Sequence, residues 1–278
     1  MITGGEWASY MNVKLQINES NEEVPVLAIT HWTEELFSFS LRRPKSFRFS
    51  AGEFVMLGLS TEEGKQILRA YSIASPTWSD ALMFYSINIK DGPLTSRLSK
   101  IKPYEGVILK RKSTGTLILD ALKPGKRLFL FSTGTGFAPF ASIIREPETY
   151  QKFDKVILTH TCREIPDLAF SQMVLSQREN DGLLSKKDIT SLEYYPTVTR
   201  DKPARDIKLG RITDLILTEE FFKDLNIENL CSDSDRVMLC GSQSFNRQMK
   251  GILIERGFLE GSINDPGDFV LEKAFVGG

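Results

Sequence analysis

The stretch RAYSIASP, residues 69–76, combines three side chains suited to a flat, charged ligand. Arg69 offers a cation for a phosphate, Tyr71 a ring for stacking, and Ser72 a small hydrogen-bonding hydroxyl. Strand alternation places Arg69 and Tyr71 on one face and Ser72 on the other, so a bend or the approach of a ligand edge must bring the three together. Taken alone, the stretch also describes a strand with an edge arginine and a packed tyrosine.

A glycine-rich turn, FSTGTGFAP at residues 131–139, runs from the end of a strand into a helix. Backbone amides at such a turn approach a pyrophosphate closely, and the helix N-terminus adds favourable partial charge. The turn does not match GxGxxG, so an ordinary dinucleotide fingerprint is not supported, and a plain tight turn explains it equally well in isolation.

A second glycine turn, DGPLTSRL at residues 91–98, has Pro93 at the expected first helical position and Thr95 in the first turn. This predicts another anion-accepting helix start, with plain helix capping as the alternative.

A flavin needs a flat partner, a hydrogen bond near its hydride-accepting atom and a cation for its pyrophosphate, all of which residues 69–72 supply. The two turns lie in different halves of the chain, so two phosphate-bearing ligands would meet between domains.

The first half of the chain, from about Val24 to Leu119, consists of short strand-like runs separated by glycine, proline and serine. The clearest runs are VLAITHW (26–32), LFSFSLR (36–42), EFVMLGL (53–59), ILRAYSIA (67–74), LMFYSINIK (82–90) and GVILKRK (106–112). This spacing predicts an antiparallel β-barrel or sandwich.

After the turn KPGK at residues 123–126, apolar strands alternate with helical segments. The strands RLFLFS (127–132), KVILTHT (155–161) and RVMLC (236–240) precede helices around 139–145, 167–178 and 244–256. Such alternation predicts a parallel sheet covered on both faces. We therefore expect two domains, an antiparallel β-barrel over 1–122, whose residues 1–11 form a disordered extension, and an α/β domain over 123–278.

Composition limits the chemistry further. With 278 residues and 41% apolar content, the chain is long enough for two cores. Its net charge of -1 creates no bulk field toward nucleic acid or an anionic membrane. Cys162, Cys231 and Cys240 lack the spacing of a metal or iron-sulfur ligand set, and His31 and His160 are too few for a metal centre. Redox chemistry would therefore need an organic cofactor, and we expect a metal-free cytoplasmic protein, because no signal peptide or long apolar run is present.

Five motifs occur in a specific order along nearly the whole chain from about residue 11. They are RAYS (69–72), DGPLTSRL (91–98), STGTGFAPF (132–140), LCGS (239–242) and EKAFVG (272–277). This set resembles the bacterial-type ferredoxin/flavodoxin–NADP(+) reductases, although each motif alone is shared with wider flavoprotein reductases. The resemblance implies FAD held by the barrel, NADP(H) bound by the second domain, and a tail that packs against the flavin.

The resemblance also implies particular site residues. Those expected at FAD are Arg69, Ala70, Tyr71, Ser72, Tyr85, Pro93, Leu94, Thr95, Thr135 and Phe275. Those expected at NADP are Thr135, Gly136, Arg163, Arg200, Arg211, Gly241 and Ser242. The catalytic set would be Tyr71, Ser72, Cys240 and Ala274. Without the family context Cys240 reads as a small buried hydrophobe, and the chain ends differently from plant-type relatives, whose last tyrosine covers the ring.

Cofactor choice is predicted from three arginines at strand ends, Arg163, Arg200 and Arg211. Guanidinium groups bind a 2′-phosphate bidentately, and ligands of parallel sheets bind at the carboxyl ends of strands, so NADP is favoured over NAD. Any single one of them could equally be a solvated surface arginine.

The predicted reaction passes a hydride from NADPH to the flavin nitrogen N5 and then single electrons to an acidic ferredoxin or flavodoxin. Catalysis would depend on holding donor and acceptor atoms about 3–3.5 Å apart, with Ser72 orienting the N5 region and Tyr71 stacking. Lys110, Arg111 and Lys112 are a candidate docking patch for the carrier, or simply a solvated strand end. We expect the protein to be a monomer.

Two other functions fit the same residues. One is the reductase component of an oxygenase, or a free flavin reductase. The cysteine spacing excludes a fused iron-sulfur domain of the usual kind but leaves open a separate [2Fe-2S] partner. The other is a flavin-binding sensor module without turnover, against which the three arginines and Cys240 argue.

Overall fold

The computed structural model describes residues 23–202 and 206–272. Within these ranges the strands form two six-stranded sheets, one antiparallel and one parallel. The predicted fold class, an antiparallel barrel followed by an α/β parallel-sheet domain, is confirmed.

The antiparallel sheet contains the first six strands in the order β4-β3-β6-β1-β2-β5. Their bounds are β1 Glu23–His31, β2 Leu36–Arg42, β3 Phe54–Ser60, β4 Gln66–Ser72, β5 Ala81–Ile87 and β6 Gly106–Thr114. An antiparallel bridge between Ile73 and Phe84 joins the end of β4 to β5, the opposite edge of the sheet, and so closes it toward a barrel. Buried aromatic side chains, including Phe37, Phe39 and Phe84, fill its interior.

The second sheet is parallel throughout, in the order β10-β9-β8-β7-β11-β12. Its strands are β7 Arg127–Thr133, β8 Lys155–Cys162, β9 Leu192–Val198, β10 Lys208–Leu209, β11 Asp235–Cys240 and β12 Phe269–Leu271. All residues of β11 and all but the first of β8 are buried, as expected for strands covered on both faces. The strand order reverses between β7 and β11, which creates a crevice at their carboxyl ends.

Short helices cover the parallel sheet, and one belongs to the barrel. The α-helices are α1 Thr95–Leu98, α2 Ala138–Ile143, α3 Pro147–Lys152, α4 Ala169–Arg178, α5 Lys186–Thr190, α6 Ile212–Leu217, α7 Glu220–Asp224 and α8 Gln243–Glu255. Single 3₁₀ turns occupy Leu119–Ala121, Gly134–Phe137 and Ile165–Leu168. Within the described ranges no helix has the length and apolarity needed to cross a membrane.

The barrel helix differs from its prediction. α1 begins at Thr95, so Pro93 precedes the helix by two residues and is not its first residue. The side chain of Leu94 is buried in the barrel core, and the Thr95 hydroxyl accepts a hydrogen bond from the Ile89 amide at 3.1 Å. These two contacts fix the turn ahead of the helix and leave only four helical residues.

The two domains share a packed boundary. Leu36, Ala74 and Tyr85 of the barrel belong to the same buried cluster as Phe137 and Phe170 of the second domain. The change of sheet falls between the end of β6 and the start of β7. This boundary fixes the orientation of the barrel against the crevice of the parallel sheet.

Candidate functional site

A cavity of about 560 Å³ lies at the carboxyl ends of β7 and β11 and extends to the barrel. Leu36 and Ile87 line it from the barrel side, and Thr135 lines it from the second domain. Its volume is in the range of cofactor sites, and it occupies the point of strand-order reversal where parallel sheets bind ligands. Both domains therefore contribute to one site.

The turn after β7 is shaped by two glycines with different tasks. Gly134 has a left-handed φ of 52°, and a Cβ atom there would meet nothing within 4 Å, so the backbone faces open space. At Gly136 a Cβ would lie 2.2 Å from the Cys240 carbonyl oxygen. Gly134 thus leaves room for a ligand, whereas Gly136 permits the turn to pack against the end of β11.

The turn after β11 forms the other wall of the cavity. A Cβ on Gly241 would lie 2.2 Å from Thr133 Oγ1, so a side chain is excluded there. The Ser242 amide donates to Thr133 Oγ1 at 3.1 Å, and the Ser242 hydroxyl caps α8 by accepting from the Phe245 amide at 3.3 Å. The thirteen-residue helix α8 therefore begins at the cavity, and its N-terminus favours an anion there.

Two of the three predicted arginines line this cavity. Arg163 and Arg211 are among its lining residues, and Arg211 immediately precedes α6. The Arg163 side chain is 63% exposed, with its guanidinium 4.0 Å from the Glu35 carboxylate of the barrel. Arg200 is exposed outside the lining, yet its amide donates to the Arg163 carbonyl at 2.9 Å. Arg163 and Arg211 therefore line the cavity, and Arg200 lies next to Arg163 outside the lining.

The RAYS residues lie at the end of β4, where both faces of the strand are covered. Tyr71 and Ser72 are both buried although they are consecutive, while Arg69 is exposed and Ala70 is half-buried. The Tyr71 ring packs edge-on against Phe39. Burial raises the pKa of the Tyr71 phenol, so the phenol stays protonated.

Ser72 is a candidate for a direct hydrogen bond to a ligand. Its hydroxyl is buried and has no hydrogen-bond partner among the described residues. A buried hydroxyl without a partner is costly and calls for an explanation, such as a group that binds there. A flavin edge with hydrogen-bonding atoms fits this requirement.

Tyr85 and the start of α1 contact protein groups. The Tyr85 ring stacks on Phe170 of the second domain at 4.2 Å between ring centroids, and Leu94 is buried in the barrel core. Thr95 bonds the Ile89 amide, and Pro93 is exposed. The contacts of Tyr85, Leu94 and Thr95 are thus explained by packing and local hydrogen bonds, and their predicted roles at FAD stay predictions.

Cys240 is fully buried at the end of β11. Burial and the neighbouring Glu272 carboxylate raise the pKa of its thiol, so the sulfur stays protonated at neutral pH. Glu272 is itself buried, and its carbonyl accepts a hydrogen bond from the Asn246 side chain at 3.2 Å. Ala274 and Phe275 lie outside the described residues.

Sequence reasoning missed several residues of the cavity. The additional lining residues include Thr133, Gly134, Thr161, Cys162, Asp167, Thr199, Thr213, Ser244, Phe245 and Gln248. Most of them lie within a few residues of the carboxyl end of a parallel strand. That rule was applied to the arginines alone and, applied to every strand, would have found most of the others.

Comparisons with known proteins agree with this geometry. A family model described as an oxidoreductase NAD-binding domain matches residues 130–250. The chain is 49% identical over 252 residues to a flavodoxin/ferredoxin–NADP reductase of Rhodobacter capsulatus, covering 91% of this chain and 92% of that one. It is 42% identical to a ferredoxin–NADP reductase of Pseudomonas aeruginosa, covering 90% and 96% of the two chains.

A solved structure is similar over the same length. The ferredoxin NADP+ reductase of Neisseria gonorrhoeae, with bound FAD and NADP, matches with a TM-score of 0.81 at 31% identity. The match covers 91% of this chain and 98% of that chain. The likeness therefore includes both domains and the boundary between them.

Proposed function

The chain belongs to the ferredoxin/flavodoxin–NADP reductase family, and from that premise we propose which of its residues carry out the family's reaction. The protein is an oxidoreductase that exchanges a hydride between NADP(H) and FAD and single electrons between FAD and a ferredoxin or flavodoxin. The predictions of FAD and NADP(H) as its cofactors are confirmed. The observation that carries the proposal is the cavity at the carboxyl ends of β7 and β11, which both domains line.

Ser72 is proposed to hydrogen-bond the flavin at the edge that takes up the hydride. FAD, when bound, accepts two electrons as a hydride and returns electrons singly. The buried hydroxyl of Ser72 supplies the donor that this edge needs, since no described group competes for it. Tyr71, which precedes it on β4, is proposed to stack on the flavin ring, with Arg69 and Ala70 nearby on the same strand.

The second domain is proposed to hold NADP(H) along the carboxyl ends of its strands. The turn containing Thr135 and the start of α8 after Gly241 and Ser242 offer backbone amides for the pyrophosphate. Arg163, Arg200 and Arg211 would bind the 2′-phosphate, because guanidinium groups match its geometry. These placements leave the nicotinamide directed toward Leu36, Ile87 and the barrel.

Cys240 and Glu272 are proposed to lie behind the nicotinamide end of the cavity, next to its lining residue Gly241. Cys240 is a neutral thiol at working pH, so it acts by shape and by exclusion of water and does not act as a nucleophile or base. Hydride transfer needs no acid-base pair, because its rate depends on the separation and alignment of the donor carbon of the nicotinamide and the acceptor nitrogen of the flavin. Tyr85, Pro93, Leu94 and Thr95 at FAD, and Ala274 and Phe275 in the tail, remain predictions.

The partner is a small electron carrier, and we propose that it is acidic and docks beside Lys110, Arg111 and Lys112. These residues lie on β6, with Arg111 and Lys112 exposed. Complementary charge would steer the carrier to the barrel and make association depend on salt.

We also propose that the protein is cytoplasmic, since the three cysteines are all free, as expected in a reducing compartment. We further propose that it is a monomer. A native mass of one chain would support the monomer.

An anaerobic titration with NADPH, and separately with NADH, tests the proposed function. The purified protein should be yellow, and NADPH should bleach the flavin absorbance rapidly while NADH at equal concentration does so slowly. That result would establish the flavin, a productive hydride geometry and the arginine-based preference. A colourless protein, or a flavin that neither nucleotide reduces, would overturn the reductase assignment; equal rates would overturn the arginine assignment alone.

A further inference from the structure

Gly134 lies in the turn that is proposed to receive the pyrophosphate, and it is partly exposed. Its left-handed φ of 52° and the empty space around its Cα suit a ligand, yet glycine is also the residue with the widest choice of backbone conformations. A peptide at such a position is free to rotate unless another group fixes it. Something must therefore hold the turn in its binding shape.

His160 makes the contact that does so. It lies on β8, is fully buried, and its Nε2 atom is 2.8 Å from the Gly134 carbonyl oxygen. A carbonyl can only accept, so Nε2 carries the proton and donates. Burial lowers the pKa of His160 to about 4, so the ring is neutral at working pH and Nδ1 is an acceptor.

The imidazole is in turn fixed by its own neighbours. Ser171 Oγ lies 3.1 Å from Nδ1 and donates its single proton to it, because Nδ1 is the acceptor of the neutral ring. Tyr194 therefore donates to the Ser171 oxygen, at 2.7 Å. The Phe137 ring stacks on the imidazole at 4.8 Å between centroids. The ring thus has contacts along its edge and on one face.

We infer that His160 is a positioning residue, which holds the Gly134 peptide in the orientation that presents the turn's amides to the pyrophosphate of NADP(H). The inference rests on the proposed function of this cavity. His160 does not touch the nucleotide itself; it acts through the Gly134 carbonyl.

The pyrophosphate and the 2′-phosphate of NADP(H) should respond differently to substitution of His160. Loss of the donor should weaken contacts to the pyrophosphate and leave the 2′-phosphate contacts proposed for the arginines intact. NADP+ contains both groups, whereas 2′-AMP contains the 2′-phosphate without a pyrophosphate. Binding of the two probes therefore distinguishes a displaced turn from a damaged domain.

His160→Leu and His160→Gln are the informative pair. Leucine has no donor, whereas the glutamine amide nitrogen reaches about as far as Nε2 and can donate to Gly134. Thr159→Val is the matched control, because Thr159 is buried on the same strand but does not contact the turn. Flavin content and circular dichroism identify variants that fold.

We expect His160→Leu to raise the Kd for NADP+ by about fivefold to tenfold, the effect of one lost hydrogen bond, while the Kd for 2′-AMP stays within about twofold. His160→Gln and Thr159→Val should stay near wild type with both probes. If leucine does not fold, His160→Asn replaces it, because its shorter amide cannot reach Gly134.

Three results would each overturn the inference. They are an unchanged NADP+ affinity in His160→Leu, an equal loss of affinity for NADP+ and 2′-AMP in that variant, and an NADP+ affinity in His160→Gln as low as in His160→Leu. In all three cases the wild-type protein would still be reduced by NADPH. A wild-type protein that binds neither probe would instead contradict the proposed function.

Discussion

Ser72 keeps a polar group inside the protein without a partner, in contrast to another buried serine of the barrel. Ser75 accepts a hydrogen bond from the Met83 amide at 3.1 Å, whereas the Ser72 hydroxyl has no partner within the described part of the chain. A buried side chain with a structural role normally has its hydrogen bonds within the protein, whereas one that binds a ligand forms its hydrogen bond with that ligand. The two serines therefore make a matched pair for mutation.

Ser72→Ala should retain FAD and reduce it at least tenfold more slowly with saturating NADPH, because the hydrogen bond at the hydride-accepting edge is lost. Ser75→Ala should keep the rate of flavin reduction and lower the free energy of unfolding by about 1 kcal/mol, because the Met83 amide loses its acceptor. Stopped-flow absorbance and urea unfolding measure the two effects. Equal rates in both variants would remove Ser72 from the reaction.

His160 predicts a loss of stability in mild acid. The unfolded chain takes up a proton on this histidine below about pH 6.5, whereas the folded chain, with the His160 pKa near 4, does not. Stability is therefore complete above about pH 6.5 and is lost as the pH falls toward 4. Between pH 7 and pH 5 the wild type should lose about 2 kcal/mol more unfolding free energy than His160→Gln, as measured in urea. Parallel losses in the two proteins would contradict the neutral, buried ring.

The turns after β7 and β11 pack directly against each other, so that a side chain at Gly136 or Gly241 would collide with the other turn. Gly136→Ala would place a methyl group 2.2 Å from the Cys240 carbonyl, so the turns must separate. We expect a loss of at least about 2 kcal/mol in unfolding free energy and weaker NADP+ binding, measured by urea unfolding and by titration.

Gly251→Ala is the control for that substitution. Gly251 lies within α8, and a Cβ there meets nothing within 4 Å. Alanine should therefore stabilise the protein by about 0.5–1 kcal/mol through its better helix propensity and leave NADP+ binding unchanged. If both glycine variants had the same effect on stability, close packing at Gly136 would not be its cause.

The predicted elements with the clearest hydrophobic pattern have the bounds expected of them to within a few residues. The strand predicted from the run LFSFSLR has the same bounds as β2, Leu36–Arg42. The helix expected around 244–256 is α8, Gln243–Glu255. β9 is the strand of the second sheet that contains a proline, Pro196. The structure tolerates this proline because β10 pairs with β9 only at Thr197 and Val198, so no neighbour on that side requires an amide from Pro196.

The site was predictable where chemistry follows from a motif and less so where it follows from packing. The glycine turn identified Thr135, and strand ends identified Arg163 and Arg211, all of which line the cavity, whereas the role of Ser72 in the RAYS stretch stays a prediction. The roles of Gly134 and His160 arise from a contact between residues 26 apart in sequence. Such a contact becomes visible only when β7 and β8 are paired in register, which a single sequence does not specify.

At the scale of the whole molecule, the reaction depends on how the barrel sits against the second domain. Thr77 donates to the Glu146 carboxylate through its amide at 2.6 Å and its hydroxyl at 3.0 Å. Beside this contact, the Arg145 guanidinium lies over the Trp78 ring at 5.3 Å, and it is held from behind by Asp181 at 2.5 Å. Two neighbouring residues of each domain thus join across the boundary.

Glu146→Ala should therefore slow flavin reduction at saturating NADPH by about tenfold, because small errors in the distance between hydride donor and acceptor are costly, and NADP+ affinity should stay within about twofold. Glu148→Ala is the control, since Glu148 pairs at the surface with Lys152 of the same helix and should change neither quantity. Stopped-flow reduction and equilibrium titration separate rate from affinity. If Glu146→Ala matched the control, or lost affinity as much as rate, the Thr77–Glu146 contact would not be what sets the geometry between the domains.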